Sequence, residues 1–320
     1  MAGTPARPAG LKEHIVKIAF AGTPDFAATV LGSLISSPHE VGLVISQPDP
    51  RKGRGRKTTR TPVAELAQSH DLPLRQPARI SEISDVLSHY DALVVAAYGQ
   101  ILRPDTLYAT AEGAFNVHAS LLPKYRGPAP VERAIMNGET ETGVTIIRMD
   151  EGLDAGPVAL QYPVSISPEM NAGELADLLA HVGAQAIVES LGLLEIKTLT
   201  LVEQDSFHAT YASKVSDEDK VIRWGRGVWE VHDQIRALAP HIGARTYHPD
   251  FEGPVKIWRS TLRDDANESS ASGRIEAENG RIAVYCGKGC LEVLELQVPG
   301  GRRLPARDFL LGNSIEGEFL

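Results

Sequence analysis

"VKIAFAGTPDFAATVLGSLIS", residues 16–36, decides the fold. Its first seven residues are an apolar run closed by Gly22, and from Pro24 to Ser36 apolar residues recur at helical spacing, so the stretch reads as a strand feeding a helix. The pairing repeats downstream. "EVGLVISQ" (40–47), "DALVVAAYG" (91–99), "AFNVHA" (114–119) and "GVTIIRM" (143–149) read as further strands, with helical patterns at 61–70, 80–90 and 130–136. Such alternation predicts βαβ units and a Rossmann-like α/β domain with a mostly parallel sheet. The clearest helix is "GELADLLAHVGAQAIVESLGLL" (173–194), where Leu175, Leu178, Leu179, Val182, Ala186 and Leu194 recur at helical spacing and are expected to pack on that sheet.

Beyond this helix the texture changes. "VEQDSFHATYASKVSDEDK" (202–220) is polar and weakly periodic, as a connection between domains would be. From Val221 there is one helical segment, "GVWEVHDQIRALA" (227–239), and then short strand-like runs, "VKIWRS" (255–260), "GRIAVYC" (280–286) and "CLEVLELQV" (290–298), separated by turns. We therefore expect a catalytic-type α/β domain over 1–203 with 1–15 as a loose extension, a linker over 204–220, and a small β-rich domain, a barrel in outline, over 221–320.

Composition narrows the class. With 42% hydrophobic residues, 23% charged residues and a net charge of −9, the chain is an ordinary acidic globular protein, so bulk charge gives no sign of an anionic partner. Two cysteines, Cys286 and Cys290, supply neither a disulfide framework nor a zinc ligand set, which fits a reducing compartment; no metal is expected. Residues 1–15 lack the apolar core of a signal peptide. Since no uninterrupted apolar run approaches the roughly 18–20 residues that span a bilayer, we expect a cytoplasmic protein with no membrane role.

The chemistry concentrates in "FNVHASLLPKYRGPAP" (115–130). On a strand, Asn116 and His118 point to the same face, because side chains alternate with period two. A strand inside a parallel sheet is normally an unbroken apolar run, so an amide and an imidazole within it belong at its carboxyl end, where open α/β sheets bind ligands. A second turn, "MDEGLDAGPV" (149–158), carries Asp150, Glu151 and Asp154 between Gly152 and Gly156. Asp154 is the candidate to meet His118. Such a carboxylate fixes the ring's tautomer and favours its charged form, and the Asn116 amide can donate to an oxygen that gains negative charge. Each residue alone has an ordinary structural explanation; together they suggest one site.

These segments also carry a resemblance. "FAGTPDFAA" (20–28), "SQPDPRKGRGRK" (46–57), "VVAAYGQIL" (94–102), "NVHASLLPKYRGPAP" (116–130) and "TGVTIIRMDEGLDAGP" (142–157) resemble, in order and spacing, the motifs of the methionyl-tRNA formyltransferases, over about residues 16–312. The Asn, His and SLLP motif is shared by folate-dependent formyltransferases generally. The resemblance implies that Asn116, His118 and Asp154 are catalytic, that Ser120, Leu121, Leu122 and Pro123 contact folate, and that 10-formyltetrahydrofolate donates the formyl group. The acceptor it implies is charged initiator methionyl-tRNA, the product serving translation initiation. It also implies an oligonucleotide-binding-type fold for the C-terminal domain. Direct attack by the α-amino group would then build an oxyanion stabilised by Asn116 and protonated His118, with Asp154 holding His118 and helping to route the amine's proton.

The basic run "RKGRGRKTTR" (51–60) supports an RNA partner, because Arg51, Lys52, Arg54, Arg56 and Lys57 stand together without an acid on a pliant, glycine-containing loop. In the family this insertion enters the acceptor stem. The family motif has a proline ahead of Gly-Arg-Gly, where this chain has Arg51 and Lys52. The family's C-terminal domain is basic, whereas residues 221–320 are close to neutral here, so contact through that domain would rely on a cluster such as Arg302 and Arg303. A monomer is expected. Three other readings remain: a formyltransferase acting on an amino-sugar nucleotide or similar small amine, an NADP-binding domain, and a noncatalytic RNA-binding module. The second lacks its glycine fingerprint, since Gly22 stands alone. The third has no need of Asn116 and His118 on one strand face.

Overall fold

The computed structural model describes residues 15–52, 57–263 and 271–320. The chain divides into two compact units, one drawn from Met1–His118, Thr145–Gln161 and Ala180–Gln204, the other from Ala119–Val144, Tyr162–Leu179 and Asp205–Leu320.

The order of elements is β1 (Lys17–Gly22), α1 (Asp25–Ile35), β2 (Glu40–Ile45), the short β3 (Arg51–Lys52) and β4 (Lys57–Thr58), α2 (Pro62–Ser69) and β5 (Leu74–Arg75). A 3-10 turn at Ile80–Ile83 leads into α3 (Ser84–Leu87), followed by β6 (Ala92–Ala96), α4 (Pro104–Leu107), β7 (Ala114–His118), α5 (Pro130–Met136), β8 (Glu141–Arg148), β9 (Val158–Ser165) and α6 (Ala172–Glu195). Seven strands form one sheet in the order β5-β2-β1-β6-β7-β8-β9. The ladders from β5 to β7 are parallel, and β8 runs antiparallel to β7. The order reverses at β1 and β6, the topological switch point where open α/β sheets leave a crevice at their carboxyl edge.

Local chemistry explains the elements. Thr61 caps α2 by accepting the amide of Ala64 at 3.2 Å, and Pro62 follows at the first helical position, where its missing N–H costs nothing. Gly22 ends β1 because a side chain there would press within 2.6 Å of Ala27 Cβ and 2.8 Å of the Phe20 ring. The first unit's core gathers Ala19, Ala21, Leu43, Ile45, Leu93 and Val95 from the strands with Ile80, Leu87 and Leu107 from their connections. In α6, buried Leu175, Leu179, Ala186 and Leu191 keep helical spacing, but Leu178, expected on the same stripe, is exposed. α6 is long and apolar enough to cross a membrane by length and composition, a test that core helices also pass, and 44% of its most apolar window is buried.

The second unit contains 3-10 turns at Ser206–His208 and Glu218–Lys220, α7 (Val228–Leu238), β10 (Ala244–Thr246), β11 (Val255–Arg263), β12 (Ile275–Glu278), β13 (Arg281–Tyr285), β14 (Cys290–Gln297), β15 (Leu304–Pro305) and α8 (Ala306–Leu310). Its strands form an antiparallel sheet in the order β10-β11-β14-β13-β12, with β15 on β14. Val231, Ile235 and Leu238 of α7 pack with Ile257, Val293 and Leu296 of that sheet. Two buried polar side chains on α7 are well partnered. His232 meets Ser260 Oγ and the Pro168 carbonyl, each at 3.0 Å, and Arg236 bridges Asp233 at 2.8 Å and the Met170 carbonyl at 2.9 Å.

Arg133 of α5 fastens the polar segment read as a linker. Its Nη1 and Nη2 meet the two oxygens of Asp219 at 3.0 and 2.7 Å, while Nε and Nη2 donate to the carbonyls of Ser213 and Lys214, each at 3.0 Å. The hydrogen bond from Arg133 holds the Asp219 carboxyl down at about 2. Because that carboxyl titrates lower in the folded state, the pair stabilises the fold above the ordinary Asp range near pH 4 and loses its contribution as pH falls toward 2. Arg133→Ala should therefore destabilise the protein by about 1.5–3 kcal/mol, the scale of charge-assisted hydrogen bonds, and move acid unfolding to higher pH. A urea midpoint lowered at unchanged slope, together with the shifted acid midpoint, checks this.

Candidate active site

β7 places the amide and the imidazole as the period-two reading requires. Phe115 and Val117 are buried on one side, Asn116 and His118 share the other, and the strand ends at His118. The Asp154 carboxylate lies over both: Oδ1 accepts from Asn116 Nδ2 at 3.4 Å, and Oδ2 stands 3.6 Å from His118 Nδ1. The His118 and Asp154 side chains are 6% and 13% exposed, so this charge is largely withdrawn from water, where its interactions are strengthened. Both distances are at or beyond the long end for hydrogen bonds, as is common at catalytic sites without substrate, and close approach rather than a formed bond describes the ring and the acid.

The route by which Asp154 gets there differs from expectation. β8 is antiparallel to β7, so Arg148, at its carboxyl end, pairs with Phe115 near the start of β7 rather than with its end. Residues 149–157 must fold back along β7, and their backbone shows how. Asp154 adopts φ 49°, the left-handed region that residues with a side chain seldom occupy. At Gly156 an added Cβ would overlap the Arg148 carbonyl oxygen, so only glycine fits. Asp150, another carboxylate of this turn, accepts the amide of Gly152 at 2.9 Å and shapes the turn.

Gln204 is a residue that sequence reasoning missed. Its Nε2 donates to the carbonyls of Asp154 at 2.8 Å and Gly156 at 2.7 Å. It was assigned to a polar linker because nothing in the local pattern ties a lone Gln to a turn almost fifty residues earlier. The neighbouring Val202 is held by the same turn's exit, its backbone exchanging hydrogen bonds with Val158 at 2.9 and 2.8 Å.

Around the switch point the strand ends are tied by polar side chains. The Tyr98 carbonyl accepts from Thr23 Oγ1 at 3.1 Å and from Gln47 Nε2 at 2.7 Å, joining the segments that follow β1, β2 and β6. Of the residues expected to touch a folate, Ser120 and Leu122 are buried and Leu121 and Pro123 are half-buried. The Ser120 hydroxyl donates to the Lys124 carbonyl at 2.6 Å.

The basic insertion is a hairpin at its base: Arg51 pairs with Thr58 and Lys52 with Lys57 in an antiparallel β3–β4 ladder. Arg54 and Arg56 lie outside the described residues. The root is anchored by Asp49, whose Oδ1 accepts from Gln76 Nε2 at 2.7 Å and from the Thr61 amide at 3.2 Å. In the other unit, Arg302 is exposed, whereas Arg303 is engaged by Glu295, through Nε at 2.7 Å and also through Nη2, and lies 5.0 Å from the Trp258 ring centroid. The free thiols of Cys286 and Cys290 are buried, and burial pushes Cys286 up to about 12, so it is an inert apolar side chain. Among the described residues no group of three or more His, Cys, Asp or Glu is arranged to hold a metal ion.

Comparison with known proteins bears on what this site does. The formyl transferase family profile matches residues 16–191, and that of the formyl transferase C-terminal domain matches residues 214–314. A methionyl-tRNA formyltransferase of Rubrobacter xylanophilus is 63% identical over 302 residues, 94% of this chain and 99% of that protein. One from Syntrophomonas wolfei is 40% identical over 94% of this chain and 96% of its own length. Among solved structures, the sugar 3N-formyl transferase WlaRD superimposes with a TM-score of 0.65 at 20% identity, covering 90% of this chain and all of that one, a likeness of fold.

If the turn geometry matters as described, Gly156→Ala should cut turnover by at least about 100-fold, the cost of a displacement near 1 Å at a reacting centre. Steady-state rates, set beside an unfolding midpoint to show that the variant still folds, check this.

Proposed function

We propose that this chain, which belongs to the formyl transferase family, works through Asn116, His118 and Asp154, transferring a formyl group from 10-formyltetrahydrofolate to the α-amino group of charged initiator methionyl-tRNA. Formyl transfer to methionyl-tRNA is the activity of its close relatives across nearly their whole length. The observation that carries the residue assignment is one carboxylate lying against an amide and an imidazole on a single strand face.

The chemistry follows from what each group can do. An amine attacking the formyl carbon forms a C–N bond and pushes an electron pair onto the formyl oxygen. One N–H of Asn116 faces Asp154, and the second is free by geometry of the amide group to donate to that oxygen. His118, when protonated, gives a second donor, and the Asp154 carboxylate stands 3.6 Å from its Nδ1. As the C–N bond to the folate N10 breaks, N10 takes up a proton and the amine gives one up, so the transfer is proton-neutral, with Asp154 helping the exchange. A model α-amino group has a pKa of about 7.7–8.0, so neutral nucleophile is plentiful at neutral pH without a strong base. The donor set of amide, imidazole and carboxylate suits a carbonyl under attack. Ser120, Leu121, Leu122 and Pro123 are proposed to line the folate, chiefly through backbone and apolar surface given the Ser120–Lys124 bond.

For the acceptor, the reading assigns phosphate contacts to Arg51, Lys52, Arg54, Arg56 and Lys57, and further contacts to Arg302 and Arg303 in the region 221–320, with 1–203 carrying the chemistry. A cytoplasmic monomer without a membrane role suits an enzyme serving translation initiation. The small-amine alternative is disfavoured by the identity and coverage of the tRNA-directed relatives.

Asn116→Ala should lower kcat by about 100- to 1,000-fold, the scale of one lost oxyanion donor, while leaving folate affinity nearly unchanged; near-normal turnover refutes the assignment. Supplying 10-formyltetrahydrofolate with charged initiator tRNA, charged elongator tRNA or an amino-sugar nucleotide should yield formylation chiefly of the first. A preference for the sugar nucleotide overturns the acceptor while leaving the chemistry intact.

A further inference from the structure

The Asp154 turn raises a question that the catalytic assignment does not answer: what keeps a residue with a side chain in the left-handed region, at the end of a turn that has to fold back along β7? Its own strand connections are only part of the answer. The Arg148 amide donates to the Pro157 carbonyl at 2.9 Å, which closes the base of the turn, and Gly156 permits the close crossing over Arg148. Neither fixes the Asp154–Ala155 or the Gly156–Pro157 peptide plane, and the first of these helps decide where the Asp154 side chain leaves the backbone.

Gln204 does reach them. Its Nε2 donates at 2.8 Å to the carbonyl of Asp154 and at 2.7 Å to that of Gly156, so a single carboxamide fixes both peptides. The segment that brings it there is itself pinned, because Val202 and Val158 exchange hydrogen bonds at 2.9 and 2.8 Å. Gln204 is half-buried, and these two bonds act on the turn. We propose that Gln204 is a positioning residue for formyl transfer: its two donated hydrogen bonds hold the Asp154 turn so that the carboxylate stays over Asn116 and His118. This rests on the assignment of Asp154 made above.

The donors are what matter in this account, which separates it from a packing role. Gln204→Glu keeps the side chain's size and shape, but an ionised carboxylate has no N–H and would set negative oxygens against two carbonyl oxygens. Gln204→Ala removes the group altogether.

The test measures kcat and KM for folate donor and charged tRNA, at neutral pH, with full-length Gln204→Ala, Gln204→Glu, Asp154→Ala and the Gln204→Ala/Asp154→Ala double variant, each checked for folding by its unfolding midpoint. Both Gln204 variants should lose about 10- to 100-fold in kcat, the scale of a misplaced catalytic group, with each KM within about twofold of the parent, because substrate contacts are untouched. In the Asp154→Ala background, measured by single turnover with excess enzyme, removing Gln204 should cost nothing further, since it acts only through that carboxylate. If the alanine variant fails to fold, Gln204→Glu alone carries the kcat comparison. Parent-like kcat in Gln204→Glu, or losses that multiply in the double variant, overturns the positioning role while the catalytic assignment stands. Parent-like kcat in Asp154→Ala overturns both.

Discussion

An amide and an imidazole at the end of a largely buried strand must have their polar capacity answered, and here one carboxylate answers both. Asp154 sets one oxygen toward Asn116 and the other toward His118. The surrounding features follow from the need to deliver that carboxylate. Because β8 is antiparallel, its exit lies at the wrong end of β7, and the turn has to come back along the strand. Placing Asp154 in the left-handed region costs about 1–2 kcal/mol. Two hydrogen bonds from Gln204, at about 0.5–1.5 kcal/mol each, are of the size needed to offset it. Strain held at a reacting group by a neighbouring clamp is a form of preorganisation, since nothing then needs to reorient when charge develops.

The sheet supplies the rigid ground for this arrangement. Thr23 and Gln47 both bond the Tyr98 carbonyl, so the carboxyl edge at the switch point is tied by side chains as well as by the backbone ladder. Gln47 is tied in turn, since its carbonyl accepts from Gln76 at 2.9 Å and Gln76 also holds Asp49 at the root of the basic hairpin. The chain thus connects the base of its most basic segment to the rim of its sheet by two glutamines and an aspartate.

What the sequence revealed, and what it hid, follows from the range of the interactions. Strands β1, β2, β6 and β7 and helices α1, α2 and α5 were legible because each depends on local periodicity and end signals, Thr61-Pro62 among them. Asn116 and His118 were legible because polar residues at i and i+2 break an apolar strand. Asp154 stood out between glycines. The direction of β8 was not legible, since an apolar run reads the same in a parallel and an antiparallel ladder, and β9, with its half-buried alternation, was not picked out at all. The 80–90 segment was read as one helix but is a 3-10 turn followed by a single α-helical turn. Leu178 fell on the apolar stripe by spacing yet faces solvent, because α6 buries a narrower stripe than its composition allows. Gln204 and the Glu295 partner of Arg303 are tertiary facts, invisible to any window of neighbouring residues.

Charge compensation bears directly on how an acidic protein meets a polyanion. With a net charge of −9, the chain repels a nucleic acid at long range, so attraction has to come from local clusters acting within about a Debye length, near 8–10 Å in physiological salt. The two clusters read from the sequence are unequal in this respect. Arg303 already faces Glu295 and stacks over Trp258, so a phosphate would have to compete with a carboxylate for the same guanidinium, and the net attraction is smaller than a count of arginines suggests. The run from 51 to 60 contains no acid, and its nearest acidic neighbour along the chain, Asp49, is occupied by Gln76 and the Thr61 amide at the hairpin's root. On the proposed reading, most of the electrostatic work of acceptor binding would fall on the run from 51 to 60, which belongs to the same unit as the Asp154 turn. Phosphate recognition and formyl transfer would then both rest on segments of one unit, with the antiparallel sheet of residues 244–305 adding few charged contacts.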